Sequence, residues 1–437
     1  MDTWKYHMNI SRVLIACCSL LISGIFMISV LYAESQPPAH LSMREALELF
    51  AQHNPELQAA RAGARQQAAE AGIQALWPNP SVELEQERTD QNSQQFLILD
   101  QPVRNPIEYR LRRNSVTLQR TAAFAHYREV AGSLTLALRR AYTGAAAAQR
   151  RVHINTRITE VVRRVYRIAK ERTEAGDFGT FELHRLSTAV ATYEDELAQS
   201  QTEQKVALRE LLTLTGSGKI GVLPDTLRLT RIRLDSLVYS PAEISPRQLL
   251  TRGNSQRGLL RAARANSRAD SLDFRAEQWA RIPEISVRGG VTGEPGLQDS
   301  PSPYLGIGLA LPVWNRHGPQ IRAARAAMRG SRARLNQAGR SVALDIYSAI
   351  DRMRSLSRRI EKISQGILKD SDSLLSDAVY LFSEGNLSLV ELLDTADAAQ
   401  QAQLLKIQLL QEYYISRFEL DRAVGSLPEQ IEFSEKD

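Results

Sequence analysis

The chain repeats itself, and that repeat limits what it can fold into more than any other feature. EAGDFGTFELHRL (Glu174–Leu186) and SEGNLSLVELLDT (Ser383–Thr395) match at an offset of 209, each with a glycine followed six residues later by a glutamate: Gly176 with Glu182, Gly385 with Glu391. Leu41-Ser42 opens a segment that matches Ile244-Ser245 at an offset of 203, where Leu57 meets Leu260, Arg61 meets Arg264 and Pro80 meets Pro283. Tyr142 meets Tyr347 at 205, and Gly216 meets Gly425 at 209. A slowly drifting offset describes two tandem copies of one design separated by small insertions. The halves are 34–216 and 244–426, joined by a turn-rich, β-branched segment, 217–243, and followed by a tail, 427–437.

Each half reads in the same order. A first helix, Ser42–Leu76 or Ser245–Arg281, starts at a serine N-cap and stops before proline (Trp77-Pro78-Asn79-Pro80; Ile282-Pro283). Two alternating segments follow. SVELEQERT sets Val82 and Leu84 against Glu83, Glu85 and Glu87, and its partner spans about Phe96–Val103. In the second half EISVRGGVT and YLGIGLALPV place Ile285, Val287 and Val291, then Leu305, Ile307 and Leu309, on single faces. Period-2 alternation of this kind predicts strands with two different surroundings. Each is near the ~9–11 residues a tilted strand needs to cross a bilayer.

From Pro106 to Gly176 the pattern is helical for about 70 residues, roughly 105 Å at ~1.5 Å per residue. Ile154, Ile158, Val161, Val165 and Ile168 alternate steps of four and three, as do Leu356, Ile360, Ile363 and Ile367. This is coiled-coil spacing. Gly176 and Gly385 fall where a left-handed residue would end such a helix. Ser388-Leu389-Val390-Glu391 reads as a capping box opening the return helix. Each stretch is thus the tip of a long antiparallel hairpin. Glu391 has a capping role open to it and Glu182 a helix-dipole role. Asp394, one turn after Glu391, has neither, so it is the tip residue most suited to a function.

Composition narrows the class further. Hydrophobic residues are 43% and aromatics 6% of 437 residues, too thin for one thick core and suited to helices meeting along narrow seams. The net charge is +6, but the arginines are interspersed with Glu and Asp along helices, which indicates solvated faces rather than nucleic-acid binding. Lys5 and Arg12 precede an apolar run from Val13 to Val30, with Leu31-Tyr32-Ala33 before Glu34; residues 1–33 read as a secretory signal peptide. An uncleaved anchor and lipidation at Cys17 are the alternatives. Both cysteines, Cys17 and Cys18, lie in that leader, so the mature chain is expected to have no disulfide and no thiolate metal site. The remaining histidines are scattered without ligand spacing, and no metal site or cofactor is expected. Nor is there a phosphate loop, a nucleophile elbow or a His-Glu metal motif, so the chain does not read as an enzyme.

Four strands cannot close a barrel, and open strand edges cannot face lipid. The chain therefore predicts a symmetric ring of copies. Three would give 12 strands and an iris of six hairpin tips, with Glu391 and Asp394 repeated around it, favouring cations. The fold class expected is mainly α with a small β part: duplicated long hairpins forming a trimeric α-barrel, and four strands per chain in a 12-stranded transmembrane β-barrel. A periplasmic coiled-coil adaptor would explain the hairpins but not the paired alternating strands or the duplication.

Taken together, the repeat, the LSMREALELFAQHNPELQAARA opening, WPNPSVELE and the two G-x5-E-L tips resemble the TolC family of outer-membrane efflux proteins over about 41–426. The opening and the PNP step look most like the CzcC-type branch that serves heavy-metal pumps. The resemblance implies a homotrimeric exit duct in the bacterial outer membrane, its helical part in the periplasm, docked to a periplasmic adaptor (membrane fusion) protein and an inner-membrane RND-type pump. A duct for organic solutes or for type I secretion is the alternative. It also implies a periplasmic aperture at Glu391, Asp394 and Glu182, with an aromatic gate position at Phe382. The tip signature that meets the adaptor is present only as Ala175-Gly176-Asp177 and Glu384-Gly385-Asn386, and Leu387 stands where the family often has arginine.

Overall fold

The structure is a computed structural model of the chain, and it describes residues 40–88, 93–216, 228–229, 245–293, 302–365 and 367–431. The expected signal segment, nearly all of the 217–243 joint and the strand-connecting loops lie outside these residues. The element order is β1 (His40–Leu41), α1 (Met43–His53), α2 (Pro55–Ile73), β2 (Ser81–Arg88), β3 (Ser93–Val103), α3 (Pro106–Glu174) and α4 (Thr180–Thr215). After β4 (Arg228–Leu229) come α5 (Pro246–Gln256), α6 (Gly258–Trp279), β5 (Glu284–Gly293), β6 (Ser302–Ala310), α7 (Gly318–Gln365), α8 (Ile367–Ser383) and α9 (Leu389–Val424), then a short 3₁₀ turn at Glu429–Ile431. Two helices, two strands, a long outgoing helical stretch and a return helix thus occur twice.

The first helix of each half was expected unbroken, and both are broken. At Asn54 the cause is local. Pro55 disfavours the helical region for the residue before it. Asn54 is extended (ψ 120°), its Oδ1 accepts from the Leu57 amide at 2.8 Å, and its Nδ2 donates to the Leu214 carbonyl at 2.7 Å. At Arg257, its counterpart in the repeat, the cause is tertiary. A Cβ on Gly258 would lie 2.5 Å from the Ala125 carbonyl oxygen, and the Arg257 side chain is 2% exposed among charged partners on three other helices. Ser42 makes the expected cap, a full capping box with Glu45, whereas Ser245 makes no side-chain cap bond and α5 instead opens on Pro246.

The four glycines with left-handed φ among the described residues are Gly176, Gly216, Gly385 and Gly425, two pairs at the repeat offset. Gly216 and Gly425 end the return helices, and each backs onto the break in its own half. A Cβ there would meet His53 O at 2.5 Å and the Arg257 backbone at 2.7 Å respectively. The duplication therefore survives in strained and crowded positions as well as in apolar ones.

The strands form one antiparallel sheet in the order β2-β3-β5-β6, the two halves joined at its centre by β3 and β5. Register carries the apolar residues across the sheet in rows: Val82, Leu99, Gly289, Leu305; then Leu84, Leu97, Val291. This face is bare, with Leu305 82% and Ile307 78% exposed. The other face holds Glu83, Glu85 and Glu87 on β2 and the Asp100–Arg288 pair at 3.4 Å. Among the described residues no helix is long and apolar enough to cross a membrane.

Helix α3, 69 residues or roughly 104 Å, is the spine of the helical part. Helices α2, α4, α6 and α9 pack on it, and α7 packs on α6 and α9. The seam toward the tips buries Ile154, Ile158 and Val165 as expected, but then Val162 and Ala169 rather than Val161 and Ile168, which are only partly buried. The stripe slips by one residue because the helix serves two neighbours: α4 on one side and α9 on the other.

Candidate functional site: the paired hairpin tips

Both tips are built by the same backbone device. Helix α3 ends in a Schellman turn: the Gly176 amide donates to Thr173 O at 3.1 Å and the Asp177 amide to Arg172 O at 2.8 Å. At the second tip Gly385 and Asn386 donate to Phe382 O and Leu381 O at 3.1 and 2.8 Å. Positive φ, 86° at Gly176 and 78° at Gly385, requires the glycines. Gly176, Asp177, Gly385 and Asn386 are all exposed at the extremity, and Leu387 packs partly against the hairpin seam.

The acidic residues sit just beyond. Glu391 is N3 of α9; its carboxylate accepts from the Ser388 hydroxyl at 2.7 Å and the Ser388 amide at 3.0 Å. Those bonds, the hydroxyl's first and the backbone's second, hold its carboxyl below the usual glutamate range. The sign is that of a depressed acid: the stabilisation is present above the unfolded pKa and fades as pH falls through the folded one. At the first tip Gly179 takes the N-cap place without a side chain to offer, and the Glu182 carboxylate folds back over it. Asp394 is exposed one turn into α9 and makes no hydrogen bond or ion pair with a described residue. Glu182, Glu391 and Asp394 therefore lie on the same end of the protomer, available to solvent.

Phe382 is placed differently from the aperture position expected of it. It is 1% exposed, packed edge-on against Phe178 with ring centroids 5.9 Å apart. Its ring belongs to the seam between the two hairpins and is not presented at the surface.

Three tip residues escaped the sequence reading. Arg172, in the last turn of α3, crosses to the other hairpin: its Nη1 donates to Phe382 O at 3.0 Å, and its guanidinium lies 5.9 Å from the Phe178 ring and 6.0 Å from that of Phe382. It thereby fastens the second tip to the first, from a position 210 residues away that a helical stripe cannot reveal. Arg172→Ala is expected to loosen this junction by about 2 kcal/mol, roughly a thirtyfold loss of amide-exchange protection. Residues 380–386 would report it; unaltered protection there would deny Arg172 the role. The other two are Phe181 and Val390, repeat partners 78% and 42% exposed on the second residues of the return helices. Bare apolar groups at both tips are a signal the pattern held, since each lies opposite the buried stripe of its helix.

Behind the tips a polar layer crosses the seam. The Tyr193 hydroxyl donates to Asp397, and burial first, then that bond, pushes the phenol far above its ordinary pKa. Gln400 donates to Asn155 Oδ1 at 3.2 Å and Glu196 Oε2 at 2.8 Å. These bonds fix the register of α9 against both arms of the first hairpin. Among the described residues no group of three or more His, Cys, Asp or Glu is arranged to hold a metal ion.

The outer membrane efflux protein family profile matches residues 250–426. The cobalt-zinc-cadmium resistance protein CzcC of Cupriavidus metallidurans is 22% identical over 408 residues, covering 92% of this chain and 94% of that protein. Among solved structures, the Campylobacter jejuni CmeC outer membrane channel superposes with a TM-score of 0.76 at 16% identity, over 90% of this chain and 88% of that one. The Vibrio cholerae outer membrane protein VceC does so with 0.71 at 17%, over 88% and 96%. These likenesses carry the fold: a helical barrel continued by strands.

Proposed function

The chain belongs with the outer membrane efflux proteins through residues 250–426, and from that premise we propose that it is the exit duct of a tripartite efflux system. Three copies close a 12-stranded barrel in outer-membrane lipid, and their hairpins continue it as a helical tube in the periplasm. The tube ends on a periplasmic adaptor and an inner-membrane RND-type pump. The duct is passive and carries no catalytic step.

The observation that carries the reading is the four-stranded sheet. One face carries a band of exposed apolar residues, Val82, Leu84, Leu97, Leu99, Val287, Leu305, Ile307 and Leu309, and among the described residues both edges, β2 and β6, lack a further strand. Such a face is stable against hydrocarbon, and such edges only when another copy pairs with them. Bare Phe181 and Val390 beside the tip glycines fit docking by an adaptor at the same end.

Heavy-metal cations are the cargo class we assign, on the strength of the CzcC relative and of exposed Glu391 and Asp394 at the hairpin tip. A ring of carboxylates concentrates cations and repels anions. Replacing Glu391 and Asp394 together with alanine is expected to raise single-channel conductance in planar bilayers by about twofold and to weaken cation preference. Unchanged conductance would place those side chains outside the pore. Loss of the gene should sensitise cells to cobalt, zinc or cadmium; sensitivity confined to organic compounds would favour the organic-solute duct instead.

A further inference from the structure

We propose that the outer side of α6 and α7 docks a carboxylate-bearing polymer, the glycan-peptide mesh of the cell wall. The inference rests on the ring of copies and the periplasmic placement above and adds a contact to them. Arg261, Arg264, Arg268 and Arg275 are spaced by three, four and seven along α6, and Arg322, Arg325, Arg329 and Arg332 by threes and fours along α7. Such spacing puts each set on one face of its helix. All eight are exposed, and none forms an ion pair with a described residue; Arg264 gives one N–H to the Asn254 carbonyl. The two stripes meet where Arg325 lies over the Phe274 ring, 5.4 Å from its centroid and beside Arg275. From Gly318 to Leu344 helix α7 holds no acidic residue. The acids of α6 lie on its other side, where Gln119 donates to Asp273 and Arg112 to Glu277.

Two observations place the arginines outside the tube. On the opposite side of α6, Asn266 and Asp270 line a hollow with Gln67 and Glu70 of α2 and Gln119 and His126 of α3. Helices α2 and α6 lean toward each other across α3 there, so the wall is concave on that side, and a closed ring keeps its concave side within. The α6 stripe also runs on into Trp279 and Ile282, 40% and 45% exposed, where the chain enters the sheet with its bare apolar face. The duplication supplies an internal comparison. At the offset of 203, Arg261 and Arg275 answer to Gln58 and Gly72; at 205, Arg322 and Arg329 answer to Thr117 and Phe124. The first half keeps the same helices without these arginines, so the fold does not require them.

Chemistry and shape select the partner. A guanidinium forks onto a carboxylate or a phosphate. From Arg275 to Arg261 the α6 stripe extends roughly 21 Å away from the sheet, at ~1.5 Å per residue. Charges in solution are felt over only about 8 Å, so headgroup phosphates reach the upper end of the stripe and no further. Between the arginines of α7 the surface is exposed Ala326 and Ala333, with no bare aromatic of the kind that anchors a folded protein partner. A long, flat strip with evenly spaced cations suits an extended anionic chain held at several points at once.

The test is co-sedimentation of the detergent-purified full chain with isolated cell-wall sacculi. One variant carries Arg264→Gln, Arg268→Gln, Arg329→Gln and Arg332→Gln. A control removes the same charge near the tips, with Arg164→Gln, Arg167→Gln, Lys170→Gln and Arg185→Gln. The first variant is expected to lose about tenfold in retention and the control little, since each exposed pair contributes a few tenths of a kcal/mol. Sacculi whose carboxyl groups have been amidated should retain neither the variant nor the unaltered protein. Equal retention of the two variants, or retention by amidated sacculi, overturns the proposal. So does a variant that loses only its binding to phosphatidylglycerol vesicles, which would assign the arginines to lipid. A native mass of three chains without retention on sacculi overturns the docking and leaves the ring standing; a native mass of one chain overturns both.

Discussion

Ile307→Arg is expected to cost about 2–4 kcal/mol per chain in a lipid or detergent environment. Ile307 lies midway along β6, 78% exposed, flanked on the same face by Leu305 and Leu309 and opposite Val287 of β5. In water an arginine there would relieve an exposed apolar patch and do little harm. Against hydrocarbon it must either drag water in or bend away along the strand. In the ring of three copies proposed above, the cost would be incurred three times. The measurement is the urea midpoint of protein refolded into vesicles, together with the fraction recovered with the outer membrane. Glu85→Arg, on the opposite face of the same sheet, is the control and should leave the midpoint nearly unchanged. Equal tolerance of the two would mean that the apolar face meets something other than lipid.

Arg257→Ala is expected to lower stability by about 3–5 kcal/mol. Its guanidinium is buried where α6 begins and is shared among elements distant in sequence. Nε lies 2.8 Å from Glu129 of α3, Nη2 lies 3.4 Å from Asp345 of α7, and Nη1 donates to the Arg422 carbonyl on α9. Burial lowers its pKa, and Glu129 raises it back in part, so the group is charged and dependent on its partner. Removing the cation leaves Glu129 with Arg422 at 3.2 Å and the Leu259 amide at 3.1 Å, beside a cavity. Chemical denaturation in micelles would read the loss. Glu129→Gln alone should also destabilise, and the double variant should lose less than the sum of the two, because both changes remove the same contact. A midpoint unmoved by Arg257→Ala would show that the contact is incidental.

These two positions also mark what the sequence could and could not disclose. The strands were legible because alternation is local: Leu305, Ile307 and Leu309 announce a face without reference to anything else. So were the tips, since Gly176 and Gly385 are punctuation read residue by residue, and the Ser388–Glu391 box lies within one turn. The break at Asn54 has a local sign in the following proline, set within a helical pattern that continues on either side. The break at Arg257 had none. It exists because α3 approaches Gly258 and because Glu129, Asp345 and Arg422 converge on one guanidinium. Phe382 illustrates the same limit at the tip. Its apolar character was plain, but whether it faced a pore or a neighbour depended on Phe178 and Arg172 from the other hairpin.

The seam between β3 and β5 has a kinetic consequence. It pairs Gln95 with Gly293 and Val103 with Ile285, so its closure waits on nearly two hundred intervening residues, including all of α3 and α4. Hairpins whose arms are joined by a few residues form early, and the entropic cost of closing so long a loop sets this seam late. The nascent chain thus acquires its rods first and its sheet last. The exposed apolar face then takes shape only after the helical scaffold, which shortens the interval in which it could aggregate.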